Sequence, residues 1–172
     1  VTDRIHADEA MTMTDSTNGA VPGGSTNGTV PSTGEIVDAY YRHANAGDWA
    51  SWLGLFSDDV VGDEQIAGHF AGIDVLKGAV DAIAKGYSKF TMYPVRVVVE
   101  GEAACVIWRN DSANAAGVPI GYPKEPNRQV IGANYFQLQH GRIVYMRTIH
   151  DTRPFDPFIN QTAAGSGSSA GR

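Results

Sequence analysis

The apolar residues of this chain change period once, and that change limits the folds open to it more than any other feature. Leu76, Val80, Ile83, Ala84 and Tyr87 recur at helical spacing. From Tyr93 the period is two. Tyr93 to Val99 and Ala103 to Ser112 read as strands joined by a tight turn at Glu100-Gly101-Glu102. Arg128 to Gln139 and Arg142 to Asp151 read as a second hairpin around His140-Gly141. Between the hairpins, Ala113 to Asn127 carries Gly117, Pro119, Gly121, Pro123 and Pro126, too much punctuation for either element, and reads as a long loop that could serve as a lid.

Ahead of the switch the sequence is mostly helical. Ser32-Thr33-Gly34-Glu35 is a capping box that predicts a helix from Glu35 to Ala46, with Ile36, Tyr40, His43 and Ala44 on one stripe and Gly47 as its stop. Asp48 can cap a second, short helix carrying Trp49, Trp52, Leu53 and Phe56. Ser57-Asp58-Asp59 then reads as a break, Val60 to Glu64 as a short strand, and a loop with Gly62, Gly68 and Gly72 leads to the third helix. Helices first and antiparallel strands afterwards is an α+β pattern, with the helices on one face of a curved sheet.

Composition bounds the ordered part. From Thr14 to Gly34 nearly every residue is Thr, Ser, Asn, Gly or Pro, which bury too little apolar surface to offset their ordering entropy. Residues 1–31 are therefore expected to form a disordered tail and 162–172 a flexible one. That leaves 32–161, about 130 residues, as a single domain.

A net charge of -6, with no Lys/Arg cluster longer than two, argues against a nucleic-acid partner. No apolar run approaches the roughly 18 to 20 residues that span a bilayer, and no charged-then-apolar signal segment stands at the N-terminus, so a soluble, cytoplasmic protein with no membrane partner is expected. Cys105, in the strand-like run Ala103 to Trp108, reads as a small buried core residue. His6, His43, His69, His140 and His150 lack metal-ligand spacing, and neither a phosphate-cradling glycine loop nor a nucleophile elbow is present. Neither metal nor cofactor is expected.

Four phrases carry a family resemblance: the helix ending Ala46-Gly47-Asp48-Trp49, the run Leu55-Phe56-Ser57-Asp58-Asp59-Val60, the Gly72 turn, and Tyr135-Phe136-Gln137-Leu138 followed by Gly141-Arg142-Ile143-Val144. In order and spacing they resemble the SnoaL-like branch of the NTF2-like (cystatin-like) superfamily, which also includes polyketide cyclases, ketosteroid isomerases and limonene-epoxide hydrolase. The resemblance covers roughly Glu35 to Phe155. It implies an α+β cone with three N-terminal helices packed on a curved, mostly antiparallel sheet, an apolar cavity for one small ligand, and a homodimer formed through the open sheet face.

Within that frame, Glu64 stands where similar ketosteroid isomerases keep their carboxylate base, and burial could raise its pKa toward neutrality. Asp63 would then point the other way. Tyr40, eight residues before Asp48, has the spacing of the isomerases' oxyanion-donating tyrosine. The strand that supplies their second acid reads Ile131-Gly132-Ala133-Asn134 here, so Asn134 would donate instead. Arg109 and Asp111, two apart on one strand, face the same way; Arg-x-Asp resembles the arginine and acid of limonene-epoxide hydrolase, with Thr148 where that enzyme has a second aspartate. His150 shares parity with Val144, Met146 and Thr148, a face the resemblance turns inward, where an imidazole could move a proton or orient Asp111. The catalytic candidates are thus Glu64, Arg109, Asp111, His150 and Tyr40; the substrate-binding candidates are Trp52, Trp108, Asn134, Met146 and Thr148.

These residues suit a small hydrophobic, polyketide-like substrate. The leading expectation is a cofactor-independent cyclase of secondary metabolism, closing a ring by an aldol-type step or a cycloaddition. An epoxide hydrolase or epoxide-opening ether cyclase, using Arg109 and Asp111, and a non-catalytic binding module are the alternatives.

Overall fold

The computed structural model describes residues 30–155 apart from Pro123 and Pro126. The tails expected at 1–31 and 162–172 lie outside the described residues, except for Val30 and Pro31. Helix α1 spans Thr33–Ala46, two residues earlier than the capping box suggested, because Ser32 is itself the cap. The Ser32 side chain accepts from Glu35 N while the Glu35 carboxylate accepts from Ser32 N at 2.7 Å, and Gly47, at φ 67°, ends the helix in the left-handed region. Asp48 caps α2 (Trp49–Leu53) by accepting from Ser51 N.

Strand β1 runs Phe56–Glu64 and β2 Gly68–Ala71. Helix α3 is Ile73–Gly86, followed by β3 (Tyr87–Lys89), β4 (Met92–Glu100), β5 (Ala103–Asn110), β6 (Ala113–Asn114), β7 (Val130–Gln139) and β8 (Arg142–His150). A single 3-10 turn, Arg153–Phe155, closes the described chain. Three α-helices are present among the described residues, two of them long, but β1 and β2 fall between the second and third, so the sheet begins before the helices end. Ser57-Asp58-Asp59 does not break the chain. The register shifts between Phe56 and Val61, and this irregularity absorbs the polar residues within β1.

The main sheet has the order β2-β1-β8-β7-β5-β4, with only β1 and β8 parallel. Strands β3 and β6 form a separate two-stranded ribbon. Helix α1 lays Val37, Tyr40, Tyr41 and Ala44 on the concave face, against Val106, Trp108, Phe136, Ile143 and Met146. Burying side chains of this size contributes about 1.5 to 3 kcal/mol each.

The outer face is set by the same alternation. Ala104, Val106 and Trp108 are buried, so Cys105, Ile107 and Arg109 point away from the core. Cys105 is therefore exposed rather than a core residue. Ala103 to Trp108 is apolar on both faces, so the pattern alone does not say which parity is interior.

Candidate functional site

Between the concave sheet and the helices lies a cavity of about 750 Å³. Its wall takes Tyr40 from α1, Trp52 from α2, Glu64 from β1, Trp108 from β5, Asn134 from β7, and Met146, Thr148 and His150 from β8. Ile83 and Lys85 of α3 and Ala115 and Ala116 of the loop after β6 complete its rim. Eight of the ten residues singled out in the sequence thus meet at one space.

Glu64 and His150 form a paired acid and base in the wall. The parallel pairing of β1 with β8 sets Glu64 beside Thr148, and His150 is the next residue of β8 on the same face. Glu64 Oε1 lies 2.8 Å from His150 Nε2, and Glu64 Oε2 accepts from the backbone N–H groups of Ile66 and Ala67, both at 2.7 Å. His150 Nδ1 donates to the carbonyl of Asp151 at 3.1 Å. The imidazole side chain is only 5 % exposed and the carboxylate 24 %, and the rings of Trp108 and Phe155 stand on the imidazole at centroid distances of 6.0 and 4.9 Å.

Burial is the largest single influence on Glu64 and pushes its pKa up, but the bonds from His150, Ala67 and Ile66 together outweigh it. The net shift is downward, opposite to the direction expected from sequence. For His150, burial pulls the pKa down most strongly, yet the bonds to Glu64 and the Asp151 carbonyl, with the attraction of both acids, leave it raised. Each shift favours the charged form of its group, the Glu64 carboxylate and the His150 imidazolium. Asp63 points the other way, accepting from Tyr145 and Arg147 at 2.7 and 2.9 Å.

A second polar group centres on Asn134, which is 1 % exposed. Its Oδ1 accepts from Trp108 Nε1, and its Nδ2 donates to Thr148 Oγ1 at 3.0 Å. Gly132 makes this possible, because a Cβ there would overlap the Trp108 indole. The Tyr40 hydroxyl donates to the Met146 sulfur at 3.5 Å, and burial holds its pKa well above the ordinary phenol value.

Arg109 and Asp111 do not join them. The Arg109 guanidinium sits 4.7 Å from the Tyr93 ring centroid on the outer face, and Asp111 pairs with Lys89 at 2.7 Å, both groups exposed. The reason is parity: Trp108 fills the interior and takes the inward position of β5, and desolvating the guanidinium would cost more than stacking it outside. The acid–arginine set of the epoxide-hydrolase reading therefore does not assemble at the cavity, and His150 orients Glu64 rather than Asp111.

Sequence reasoning passed over Asn110, Tyr87 and Phe155. Asn110 shares the inward parity of Trp108; its Oδ1 accepts from Ser112 N at 2.8 Å while the residue lines the cavity. Tyr87 lines it from the end of α3, its phenol pushed up to about 12 by burial and then by the Glu64 charge. Among the described residues no three metal-ligating side chains gather, and no helix is long and apolar enough to cross a membrane.

The SnoaL-like domain family matches residues 37–146. No curated protein gives a significant match to the sequence. Among solved structures, a putative polyketide cyclase from Pseudomonas putida KT2440 is 18% identical and aligns over 73% of this chain and 96% of its own, with a TM-score of 0.61. An NTF2-like protein of unknown function from Burkholderia pseudomallei K96243 is 15% identical, over 74% and 96%, with a TM-score of 0.63. TerC, co-crystallised with polyporic acid, is 16% identical, over 74% and 98%, with a TM-score of 0.62. At these identities the likeness establishes the NTF2-like fold.

Proposed function

The chain belongs to the SnoaL-like family, and from that premise we propose that it is an enzyme that takes a hydrophobic, polyketide-like molecule into this cavity and closes a ring in it. The observation that carries the reading is the composition of the wall: mostly aromatic and aliphatic side chains, with a few polar groups such as Asn110, Asn134 and Thr148 and one paired acid and base, Glu64 and His150, set into it. Apolar walls fold a flexible chain so that its reacting carbons meet, which converts a bimolecular encounter into a unimolecular one. In an aldol-type closure, Glu64 takes the proton from the carbon next to a carbonyl, and that C–H electron pair passes onto the carbonyl oxygen as the enolate. The enolate carbon then attacks a second carbonyl, forming the new C–C bond, and the resulting alkoxide takes the proton back from the Glu64 carboxylic acid, which regenerates the carboxylate. His150 keeps Glu64 aimed, and favours its carboxylate form before the proton is taken. The similarity to a putative polyketide cyclase, and to a protein crystallised with polyporic acid, agrees with this substrate class.

The outer sheet face supports a homodimer. Val98, Ile107, Ile131 and Ile149 lie there between 43% and 55% exposed, on neighbouring strands, and a second copy would cover them by a self-complementary contact.

Native mass spectrometry of the purified protein tests the ligand class. A retained non-covalent mass of a few hundred daltons, lost when Trp108 is replaced by Ala, is the expected result. Failure to retain or take up any hydrophobic aromatic compound would overturn the reading.

A further inference from the structure

We propose that Asp151 and Tyr122 are positioning residues for the pair of Glu64 and His150. Tyr122, from the loop after β6, clamps the Asp151 carboxylate, which holds the Asp151 carbonyl on His150 Nδ1 and keeps Nε2 turned to Glu64. The inference rests on the reading that this pair moves a proton on a bound carbonyl compound, and it adds what keeps the imidazole aimed.

The imidazole needs both of its bonds. A half-turn about the bond from Cβ to the ring exchanges Nδ1 with Cδ2 and Nε2 with Cε1, so a flipped ring would present carbon where each hydrogen bond now runs. Glu64 holds one end of the ring at 2.8 Å and the Asp151 carbonyl the other at 3.1 Å. Glu64 is braced by the N–H groups of Ile66 and Ala67. The carbonyl lies beyond the sheet, because the register of β7 with β8 ends at Gly132 and His150. Something other than the ladder must fix it.

The side chain of Asp151 does so. Its Oδ1 accepts from the Arg153 backbone N–H at 3.0 Å and from Arg153 Nε at 2.9 Å, which closes a tight turn after β8. Its Oδ2 accepts from the Tyr122 hydroxyl at 2.8 Å and from the Arg153 guanidinium. These bonds, those from Arg153 foremost and that from Tyr122 after them, hold the Asp151 carboxyl well below the usual carboxylate range. It therefore stays charged and takes no proton from the imidazole beside it. Tyr122 is held in turn. The Arg128 guanidinium stacks on its ring, 4.2 Å from the centroid, and the ring packs with Ile120, Val130 and Phe155. Phe155 also stands on the His150 ring at 4.9 Å. Segments from before β7 and after β8 thus converge on one carboxylate next to the imidazole, and part of the loop that could serve as a lid acts as a brace.

Solvent exchange of the His150 Nδ1 proton, read by NMR in isotope-labelled protein, tests this without reference to turnover. The proton should exchange about tenfold faster in Tyr122→Phe than in the wild type, the loss expected for one hydrogen bond to a charged group, and faster still in Asp151→Asn. Ile143→Val, a core change toward the other end of β8, should leave it at the wild-type rate. Deuterium exchange into the cyclic ketone 2-tetralone should fall about tenfold in Tyr122→Phe with the affinity for the ketone unchanged, since a misaimed base slows the step and not the binding. A His150 proton equally protected in the wild type and both brace variants, or one released as readily by Ile143→Val, would overturn the brace and leave the cavity reading standing. So would ketone exchange that is fast in the wild type and just as fast in Tyr122→Phe. If Asp151→Asn does not fold, the comparison of Tyr122→Phe with Ile143→Val decides alone. A wild type that protects the proton and binds 2-tetralone, yet exchanges none of its hydrogens, would overturn the proton-transfer reading instead.

Discussion

Glu64 on β1 and His150 on β8, 86 residues apart, hold one proton between them at 2.8 Å. His150 Nδ1 faces a carbonyl and must be a donor, so the proton between Nε2 and Oε1 is the one whose position is free to vary. The Asp151 backbone is fixed in turn, since its side chain accepts from Tyr122 and Arg153. The imidazole that shares it packs against Trp108 and Phe155.

The pair makes stability depend on pH with a definite sign. Glu64 has a lowered pKa, so its contribution is full above the ordinary value of 4.5 and is lost as pH falls through the folded value. His150 has a raised pKa, so its contribution is full below 6.5 and is lost as pH rises through the folded value. The Tm difference between the wild type and His150→Gln should be widest from 4.5 to 6.5 and shrink on both sides. Thermal melts from acid to alkaline pH check this; a difference that grows steadily with pH would contradict it.

Arg109→Ala and Asp111→Asn should leave both turnover and Tm close to wild type, because each side chain sits on the outer face in an exposed contact. Parallel melts and rates for the two variants would show this. A large loss of activity from either would mean that the interior parity of β5 is wrong.

Gly132→Ala should lower stability by about 1 to 3 kcal/mol, since the added methyl would have to displace the Trp108 indole. The same displacement should break the Trp108–Asn134 bond, so ligand affinity should fall along with stability. Denaturant titration and tryptophan fluorescence report the two effects together.

Tyr41→Phe should stabilise the fold by about 1 kcal/mol, because the Tyr41 hydroxyl is buried with no hydrogen-bond partner among the described residues. Tyr41 is outside the cavity lining, so ligand binding should not change. A less stable Tyr41→Phe protein would show that the hydroxyl is satisfied after all.

Much of the fold is legible in local pattern, and the reason is periodicity. The switch from helical spacing to alternation near Tyr93 marks where α3 gives way to β4, and Ser32 with Glu35 marks the start of α1. Legibility fails where a segment is short or apolar on both faces. Gly68-His69-Phe70-Ala71 is too brief to show a period, although it pairs with β1 as an edge strand. Ala103 to Trp108 offers hydrophobic residues to either side, so the burial of Trp108 and the exposure of Arg109 follow from packing rather than pattern. The partner of Glu64 was hidden for a different reason. Only the parallel pairing of β1 with β8, a contact across most of the domain, brings His150 to it. Likewise nothing local to Asn134 indicates that Trp108, 26 residues earlier, fixes its orientation.

Exchange of the α-protons of a small cyclic ketone, 2-tetralone, in deuterated water tests most directly whether this pair moves a proton on a bound carbonyl compound. The wild-type protein should accelerate deuterium incorporation well above buffer, and Glu64→Gln should lose about 100-fold of that acceleration while still binding the ketone. Exchange no faster than buffer for a wild type that binds the ketone, or equal exchange by Glu64→Gln, would contradict the account.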